Sequence, residues 1–328
     1  MQVTFPLDFP FAYGEPQASA DFRAEPEDFQ VYEHLGFEPS GQGEHVYLHV
    51  QKRGENTAWV AQKIAELAGV ATMDIGYCGR KDRHALTRQW FSVYLPRFDS
   101  EPDWTALNSE SIQLLQAARH QHKLRRGDHQ SNRFVIRLRN LTCANKPAFE
   151  LLLERVLAGG VPNYFGEQRF GRHGNNLVEA HSLLVEGRRI RDKQKRGLFL
   201  SAARSYLFNQ VVAARVRAGN WQTLLAGESE SFPSAPLWGR GRSAAAGEAA
   251  ELELSAINAW SEWCNGLEHA GLLQERRPLV LTPEHASWRW LDNDIELSFS
   301  LGSGEFATTL LRELAVLHSA IETPDPGV

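Results

Sequence analysis

The chain has 328 residues, of which 42% are hydrophobic and 23% charged, with a formal net charge of −5. This composition indicates a globular protein with a core of its own and argues against wholesale disorder. The three cysteines are odd in number and far apart, which favours reduced thiols in the cytoplasm over disulfides or a zinc knuckle. The sequence shows no signal-peptide pattern and no membrane-length apolar run, so we expect no membrane association.

The first half of the chain predicts strands interrupted by one helix. Residues 29–34 and 45–50 alternate apolar and polar side chains, as a half-buried strand does. Residues 56–69 change to a helical period, with Asn56 or Thr57 able to cap the start and a glycine at the end. Residues 89–95 again predict a strand.

Residues 132–139 alternate most clearly. Three apolar residues share one face and three arginines share the other: Phe134, Ile136 and Leu138 against Arg133, Arg137 and Arg139. A strand of this kind predicts a sheet packed on helices on one side and facing RNA or DNA on the other.

The second half of the chain is mainly helical. We predict helices at residues 147–158, 177–186, 199–218, 255–270 and 306–321, a loop at 239–250, and a strand at 294–301. The order of the elements indicates an α+β domain interrupted by an insertion, with its last strand supplied by the carboxyl-terminal part of the chain.

Positive charge is concentrated despite the acidic total. Residues 80–88, 119–139 and 188–196 hold roughly half of the 35 lysines and arginines and only three acids. Such segregation can build a positive face that attracts a phosphate backbone, although three solvated surface faces explain the charge alone equally well.

One of these segments contains a lone carboxylate, Asp82, among Arg80, Lys81, Arg83 and Arg88. Neighbouring cations favour the ionised form, which suits a nucleophile or a base and suits a general acid poorly. An ion-paired loop is the alternative explanation. The sequence offers no nucleotide-binding loop and no set of histidines or cysteines with metal-ligand spacing, so we expect neither cofactor nor metal.

Six blocks of the sequence, in the order of the family, resemble the TruD family of tRNA pseudouridine synthases. They are FRAEPEDFQVYE (22–33), GEHVYLHVQKRGENT (43–57), GRKDRHALTRQW (79–90), KLRRGDHQSNRFVIRLR (123–139), NYFGEQRFG (163–171) and GEFATTLLREL (304–314). The resemblance implies isomerisation of uridine 13 of tRNA to pseudouridine without cofactor or metal.

The resemblance also implies the architecture. A catalytic domain with a largely antiparallel sheet flanked by helices would comprise residues 1–157 and 281–328. A mainly helical α/β insertion domain would comprise residues 158–280.

The resemblance assigns roles to individual residues. Asp82 is similar to the catalytic aspartate, which either attacks C1′ or removes the C2′ proton, and the sequence does not choose between these routes. Phe134 resembles the aromatic residue that stacks on the extruded uracil, and Asn132 a polar contact beside it. The remaining substrate contacts implied are Phe29, Phe306 and Arg23. Arg23 stands where close relatives carry a lysine, so it retains the charge but changes the geometry.

The basic residues nearest these blocks are predicted to contact the RNA backbone: Arg80, Lys81, Arg83, Lys123, Arg125 and Arg126. We therefore expect a tRNA partner, no protein partner, and a monomer in the cytoplasm. Two other functions remain open at this point, an RNA-binding assembly factor without catalysis and a hydrolase that removes a nucleobase.

Overall fold

The structure is a computed structural model that describes residues 4–97 and 101–319. The strands are β1 (Ala18–Phe22), β2 (Phe29–His34), β3 (His45–Arg53), β4 (Ile75–Tyr77), β5 (Leu86–Tyr94), β6 (Ile112–His120), β7 (Ser131–Cys143), β8 (Val161–Pro162), β9 (Ser234–Leu237), β10 (Glu275–Pro278), β11 (Val280–Leu281), β12 (Glu284–Leu291), β13 (Asp294–Gly302) and β14 (Val316–Ser319). The helices are α1 (Thr57–Ala68), α2 (Lys146–Gly159), α3 (Asn175–Leu184), α4 (Lys193–Arg217), α5 (Gly247–Ile257), α6 (Ser261–His269) and α7 (Ala307–Leu311).

A ten-stranded sheet dominates the described part of the chain. Its main path runs β12-β13-β7-β2-β5-β3-β6, while β1 pairs with β7 and β14, and β4 pairs with β5. Among the described residues only the β2–β5 and β1–β14 pairs run parallel. The α+β class with a largely antiparallel central sheet is therefore confirmed.

Two hydrophobic cores lie against helices on the same face of this sheet. The first core buries residues of β2, β7 and β13, such as Ile136, against Leu153 of α2 and Leu311 of α7. Farther along the sheet, α1 buries Val60 and Ile64 against β3 and β5. Gly69 ends α1 with a φ of 65°, a left-handed conformation that favours glycine. The predicted helix at residues 56–69 is thus confirmed.

A further core, which we call the insertion core, forms around α4. It buries Tyr206 and Phe208 of α4 against residues of α3 and α6, including Leu177 and Trp263. The short β8–β11 pair joins the chain where this helical region begins and ends, at Val161–Pro162 and Val280–Leu281. That pairing agrees with the domain boundaries at 157/158 and 280/281, which remain a prediction.

The structure differs from the predicted secondary structure in three places, of which the first is the helix predicted at 255–270, divided between the end of α5 and α6 by a short turn at Asn258–Trp260. The predicted helix at 306–321 is wrong beyond Leu311, because β14 turns back and pairs in parallel with β1; residues 320 and 321 lie outside the described residues. The predicted loop at 239–250 gives way to α5 at Gly247. Phe5, Leu7 and Phe9 pack in the insertion core, and the assignment of residues 1–157 to the catalytic domain stays a prediction.

The arginine face of β7 is also different from our expectation. Arg137 pairs with Asp294 at 2.6 Å, and Arg139 pairs with the buried Asp28 at 2.8 Å and with Glu25 at 3.0 Å. These guanidinium groups are neutralised within the protein, so the alternation of the strand does not by itself create a surface for nucleic acid.

Asn209 of α4 holds the chain that enters the insertion core. The side chain is fully buried, accepts a hydrogen bond from the Phe165 N–H at 2.9 Å and donates one to the Phe165 carbonyl at 2.9 Å. One amide side chain thus pairs both the N–H and the carbonyl of Phe165, and buried backbone groups need such partners.

We predict that Asn209→Ala lowers the free energy of unfolding by about 2–4 kcal/mol, because it leaves a buried N–H and a buried carbonyl unpaired. Urea unfolding followed by circular dichroism measures this change. Asn258→Ala, at an exposed position in the same region, is the matched control and should be within about 0.5 kcal/mol of the wild type. Equal stability of the two variants would contradict the anchoring role.

Candidate active site

Asp82 lies in the loop between β4 and β5, and we call residues 79–85 the Asp82 loop. Its carboxylate is partly accessible, with 27% of the side chain exposed. Oδ2 lies 2.7 Å from Nη1 of Arg23, and Oδ1 accepts a hydrogen bond from the His84 N–H at 3.1 Å. An ion pair and a backbone donor therefore fix both carboxylate oxygens.

Arg23 is held in place by aromatic rings and by its own backbone. The guanidinium carbon lies 4.1 Å from the ring centre of Phe29 and 4.8 Å from that of Phe22, distances typical of cation–π contacts. The residue has a φ of 59°, which is uncommon outside glycine and is often found at functional sites. Arg23 Nε is buried without a hydrogen-bond partner among the described residues.

Two of the aromatic residues predicted to contact the substrate, Phe29 and Phe134, lie next to each other, and Phe29 also contacts Arg23. The rings of Phe29 and Phe134 are 6.0 Å apart, and Phe134 stacks on Phe299 at 5.7 Å. Phe29 and Phe134 are 5% and 7% exposed, so both rings belong to the first core in this conformation. The structure thus brings Phe29, Phe134, Arg23 and Asp82 into one chain of contacts.

Asn132 lies on the same face of β7 as Phe134, two residues earlier, and opposite Glu33 of β2. Its Nδ2 is 2.9 Å from Nε2 of His129. Its Oδ1 is buried and has no partner among the described residues. A buried acceptor left open in this way is available to a donor on a ligand.

Phe306 lies elsewhere. It precedes α7, its ring centre is 6.5 Å from that of Phe165, and it packs against the insertion core. The structure records no contact between Phe306 and Asp82, Arg23 or Phe134 among the described residues.

Buried polar residues support the Asp82 loop from below, and we call Lys52, Thr57 and Gln89 the loop platform. Lys52 is fully buried, and its Nζ donates to the carbonyls of Asp82 and Glu55, each at 2.7 Å. Thr57 Oγ1 accepts from the Lys81 N–H at 2.9 Å and donates to Gln89 Oε1 at 2.8 Å. These bonds hold the backbone on both sides of the carboxylate.

A buried ion pair adds to this support. Glu33 Oε2 lies 2.5 Å from Lys81 Nζ, and Glu33 Oε1 accepts from the Trp90 N–H at 3.0 Å. Both side chains are less than 10% exposed. Lys81, which we predicted to contact RNA, is therefore turned inward and engaged by Glu33. Sequence reasoning missed Glu33, although it continues the apolar face of Phe29 and Val31, which is an unusual position for an acid.

Glu33, Cys78 and His129 form the one group among the described residues whose ligand atoms lie within 4.8 Å of one another, close enough to hold a metal ion. The donors do not suit a cation, because the Lys81 ammonium already occupies Glu33. Burial and the nearby Glu33 carboxylate also raise the pKa of the Cys78 thiol, and a thiol must deprotonate to bind metal. We assign the group a structural role.

The other basic residues predicted to contact RNA are at the surface. Arg80, Arg83, Arg125 and Arg126 are exposed, whereas Lys123 is half-buried and donates to the Met73 carbonyl at 2.5 Å.

No helix within the described ranges is long and apolar enough to cross a bilayer.

A cavity of about 800 Å³ opens beside Tyr32, Arg88 and Arg133. Tyr32 pairs with both arginines across the sheet, and its side chain alternates with those of Phe29 and Val31. The cavity therefore lies on the opposite sheet face from Phe134, and Asp82 does not line it.

We predict that the burial of Lys52 makes the stability of the protein depend on pH. Burial lowers the pKa of Lys52 from 10.5 to about 8, against the opposing effect of Asp82. Between pH 8 and 10.5 the unfolded chain therefore binds this proton more than the folded protein does, so the Lys52 contribution to the free energy of unfolding rises with pH, by about 3 kcal/mol.

Urea unfolding of the wild type and of Lys52→Met at several pH values isolates this contribution, because other titrating groups cancel in the difference. We expect the difference to move in favour of the wild type as pH rises from 8 to 10.5. A difference that does not change with pH would contradict the lowered pKa.

Known proteins match this chain over most of its length. Residues 9–189, more than half of the chain, match the family model described as tRNA pseudouridine synthase D (TruD). The chain is 61% identical to the tRNA pseudouridine synthase D of Cellvibrio japonicus, over 97% of this chain and 96% of that protein. It is 47% identical to the protein of the same name from Aeromonas salmonicida, over 94% of each.

The fold resembles a solved structure as well. A proposed tRNA pseudouridine synthase D from Methanosarcina mazei superimposes with a TM-score of 0.69 over 95% of this chain and 96% of that chain, at 20% identity. At that identity the likeness concerns the fold, whereas the family match and the close relatives concern the sequence itself. The family match and the close relatives establish that the chain belongs to the tRNA pseudouridine synthase D (TruD) family.

Proposed function

We propose that the protein converts uridine 13 of tRNA to pseudouridine with Asp82 as its catalytic residue. The reaction type and the tRNA substrate are supported by the family and by the names of the close relatives. The position within tRNA is supported by the sequence motifs that resemble the family.

The observation that carries the proposal is the geometry of Asp82. A partly exposed carboxylate lies 2.7 Å from a guanidinium whose side chain is 12% exposed, next to an aromatic cluster. The guanidinium at this distance attracts the negative charge of the carboxylate. Arg23 has lost solvation by burial, which lowers its pKa, and Asp82 compensates in part. Each group thus stabilises the charge of the other.

The reaction needs such a carboxylate. Conversion of uridine to pseudouridine breaks the N1–C1′ bond, turns the uracil and joins C5 to C1′, so the product is an isomer of the substrate. Asp82 either attacks C1′ or takes the C2′ proton, and both routes require the ionised form. The loop platform keeps Asp82 in place while the base turns, because its bonds are made to the loop backbone and none of them occupies the carboxylate.

The uracil must leave the RNA stack to reach Asp82. Phe134 is the proposed stacking partner, with Phe29 beside it and the open Oδ1 of Asn132 as an acceptor for the uracil N3–H. Because both rings are nearly buried in the free protein, we propose that RNA binding opens this part of the first core. Phe306 would join the site from the insertion core.

The exposed arginines supply the attraction for RNA. Arg80 and Arg83 flank Asp82, and Arg125 and Arg126 lie in the turn before β7. Because each phosphate contact releases counterions, we propose that tRNA binding weakens steeply with added salt. Lys81 is left out of this surface, since Glu33 holds its ammonium.

The central test is Asp82→Asn. This change keeps the shape of the side chain and removes the charge that either route needs, so turnover should be abolished while tRNA binding stays close to wild type. Carbodiimide labelling followed by primer extension locates pseudouridine, and we expect a stop reporting position 13 for the wild type alone.

Other outcomes of this test would overturn the proposal. Comparable turnover by Asp82→Asn would remove the aspartate from the mechanism. A wild-type protein that binds tRNA tightly and leaves it unmodified would indicate an RNA-binding factor. A product that has lost the uracil mass would indicate a hydrolase, because isomerisation leaves the mass unchanged.

A second test separates the charge of Arg23 from the geometry of its guanidinium group. If Arg23 acts through its charge, Arg23→Lys should remain within about tenfold of wild-type kcat/KM, whereas Arg23→Met should lose about ten- to a hundredfold. Single-turnover kinetics with enzyme in excess over tRNA but below saturation measure kcat/KM for both variants. An equal loss in the two variants would show that the guanidinium geometry, rather than the charge, is required.

A further inference from the structure

A second pocket, of about 230 Å³, lies where α4 of the insertion core meets the segment that leads into α7. We call it the arginine pocket. Its polar lining comprises Arg169, Ser201, Arg204, Ser205, Arg277 and Gly304. The described residues that line it include three guanidinium groups and two hydroxyl groups but no carboxylate, which is the composition of an anion site.

Two of the three arginines, Arg204 and Arg277, have an N–H donor without an acceptor among the described residues. The Nη2 group of Arg204 donates to the Leu237 and Leu273 carbonyls and to Glu275, and that of Arg277 donates to Asn163 and to the Gly304 carbonyl. The Nε atoms of both side chains are buried and have no partner among the described residues. A buried unpaired donor is costly, and a bound oxyanion would satisfy it.

The third arginine is the least engaged. The Arg169 side chain has one hydrogen bond within the described chain, from Nη1 to Ser201 Oγ at 3.5 Å. Its guanidinium lies 5.6 Å from the ring centre of Phe165, and that of Arg277 lies 4.3 Å from the same ring. Burial lowers the pKa of Arg169 and lowers that of Arg277 to about 10. The protein therefore holds two poorly solvated cations around one aromatic ring.

We propose that the arginine pocket binds one phosphate group of the RNA backbone. This inference rests on the proposed function for the identity of the RNA. The backbone is favoured over a free phosphate by position, because Gly304 in the pocket wall lies two residues before Phe306, a proposed substrate contact. Arg126 of the exposed basic turn is also near enough to act electrostatically on Arg169. The pocket thus lies close in sequence to Phe306 and within electrostatic reach of the exposed basic turn.

Arg169→Gln is the best variant, because this side chain holds little of the protein together. Arg289→Gln is the matched control, since Arg289 is 67% exposed and pairs with Glu296 at the far edge of the sheet. We expect Arg169→Gln to bind tRNA about ten- to a hundredfold more weakly. We also expect it to reduce the slope of log Kd against log salt by about 1, and the control to follow the wild type.

Substitution of single phosphates by neutral methylphosphonates in a synthetic tRNA fragment identifies the contact. Neutralising one particular phosphate should weaken RNA binding by the wild type about tenfold or more and should not weaken binding by Arg169→Gln any further. Arg277→Gln should be insensitive to the same phosphate. Equal costs in wild type and variants at every position would overturn the proposal, provided that thermal melting shows the variants folded.

Titration with inorganic phosphate at constant ionic strength separates the two sources of the anion. Binding to the wild type that is lost in Arg169→Gln, without any coupled position in the RNA, would assign the pocket to free phosphate and overturn the backbone contact. These are binding measurements and need no turnover. A protein that forms no pseudouridine would refute the proposed function and still leave the coupling measurable.

Discussion

The position of Asp82 depends on polar groups buried beneath its loop. Lys52, Thr57 and Gln89 are almost inaccessible, and each makes at least one hydrogen bond to the loop backbone. Buried polar groups stabilise one arrangement only when all their bonds are made, and a partly satisfied set is worse than an apolar one. The loop therefore has one well-defined conformation, in which the carboxylate points to Arg23.

The same arrangement distributes the basic residues in and around the Asp82 loop between the interior and the surface. Lys52 and Lys81 turn inward, toward backbone carbonyls and Glu33, while Arg80 and Arg83 turn outward. Arg23, from a distant part of the sequence, supplies the cation that contacts the carboxylate. Charges that look equivalent along the chain thus have different surroundings: Lys52 and Lys81 are held inside the protein, Arg80 and Arg83 are exposed, and Arg23 pairs with the carboxylate of Asp82.

Much of the secondary structure and of the candidate site could be predicted from the sequence, because the patterns involved are local. The alternation of β7 and the helical period of α1 depend on neighbouring residues, and both elements formed as expected. The motifs identified the family and gathered Asp82, Arg23, Phe29 and Phe134 into one candidate site. The helix expected at 306–321 failed because β14 is stabilised by pairing with β1, almost 300 residues away, and no local pattern contains that contact.

The sequence by itself determined the fold class, the family and the residue types at the site, since these follow from periodicity and from motifs. The tertiary structure alone decided which charges are free. It buried Lys81 against Glu33, neutralised Arg137 with Asp294, and grouped Arg169, Arg204 and Arg277 around one pocket. The physical reason is that the strength of a charge depends on its solvation and its partners, and both are set by residues remote in sequence.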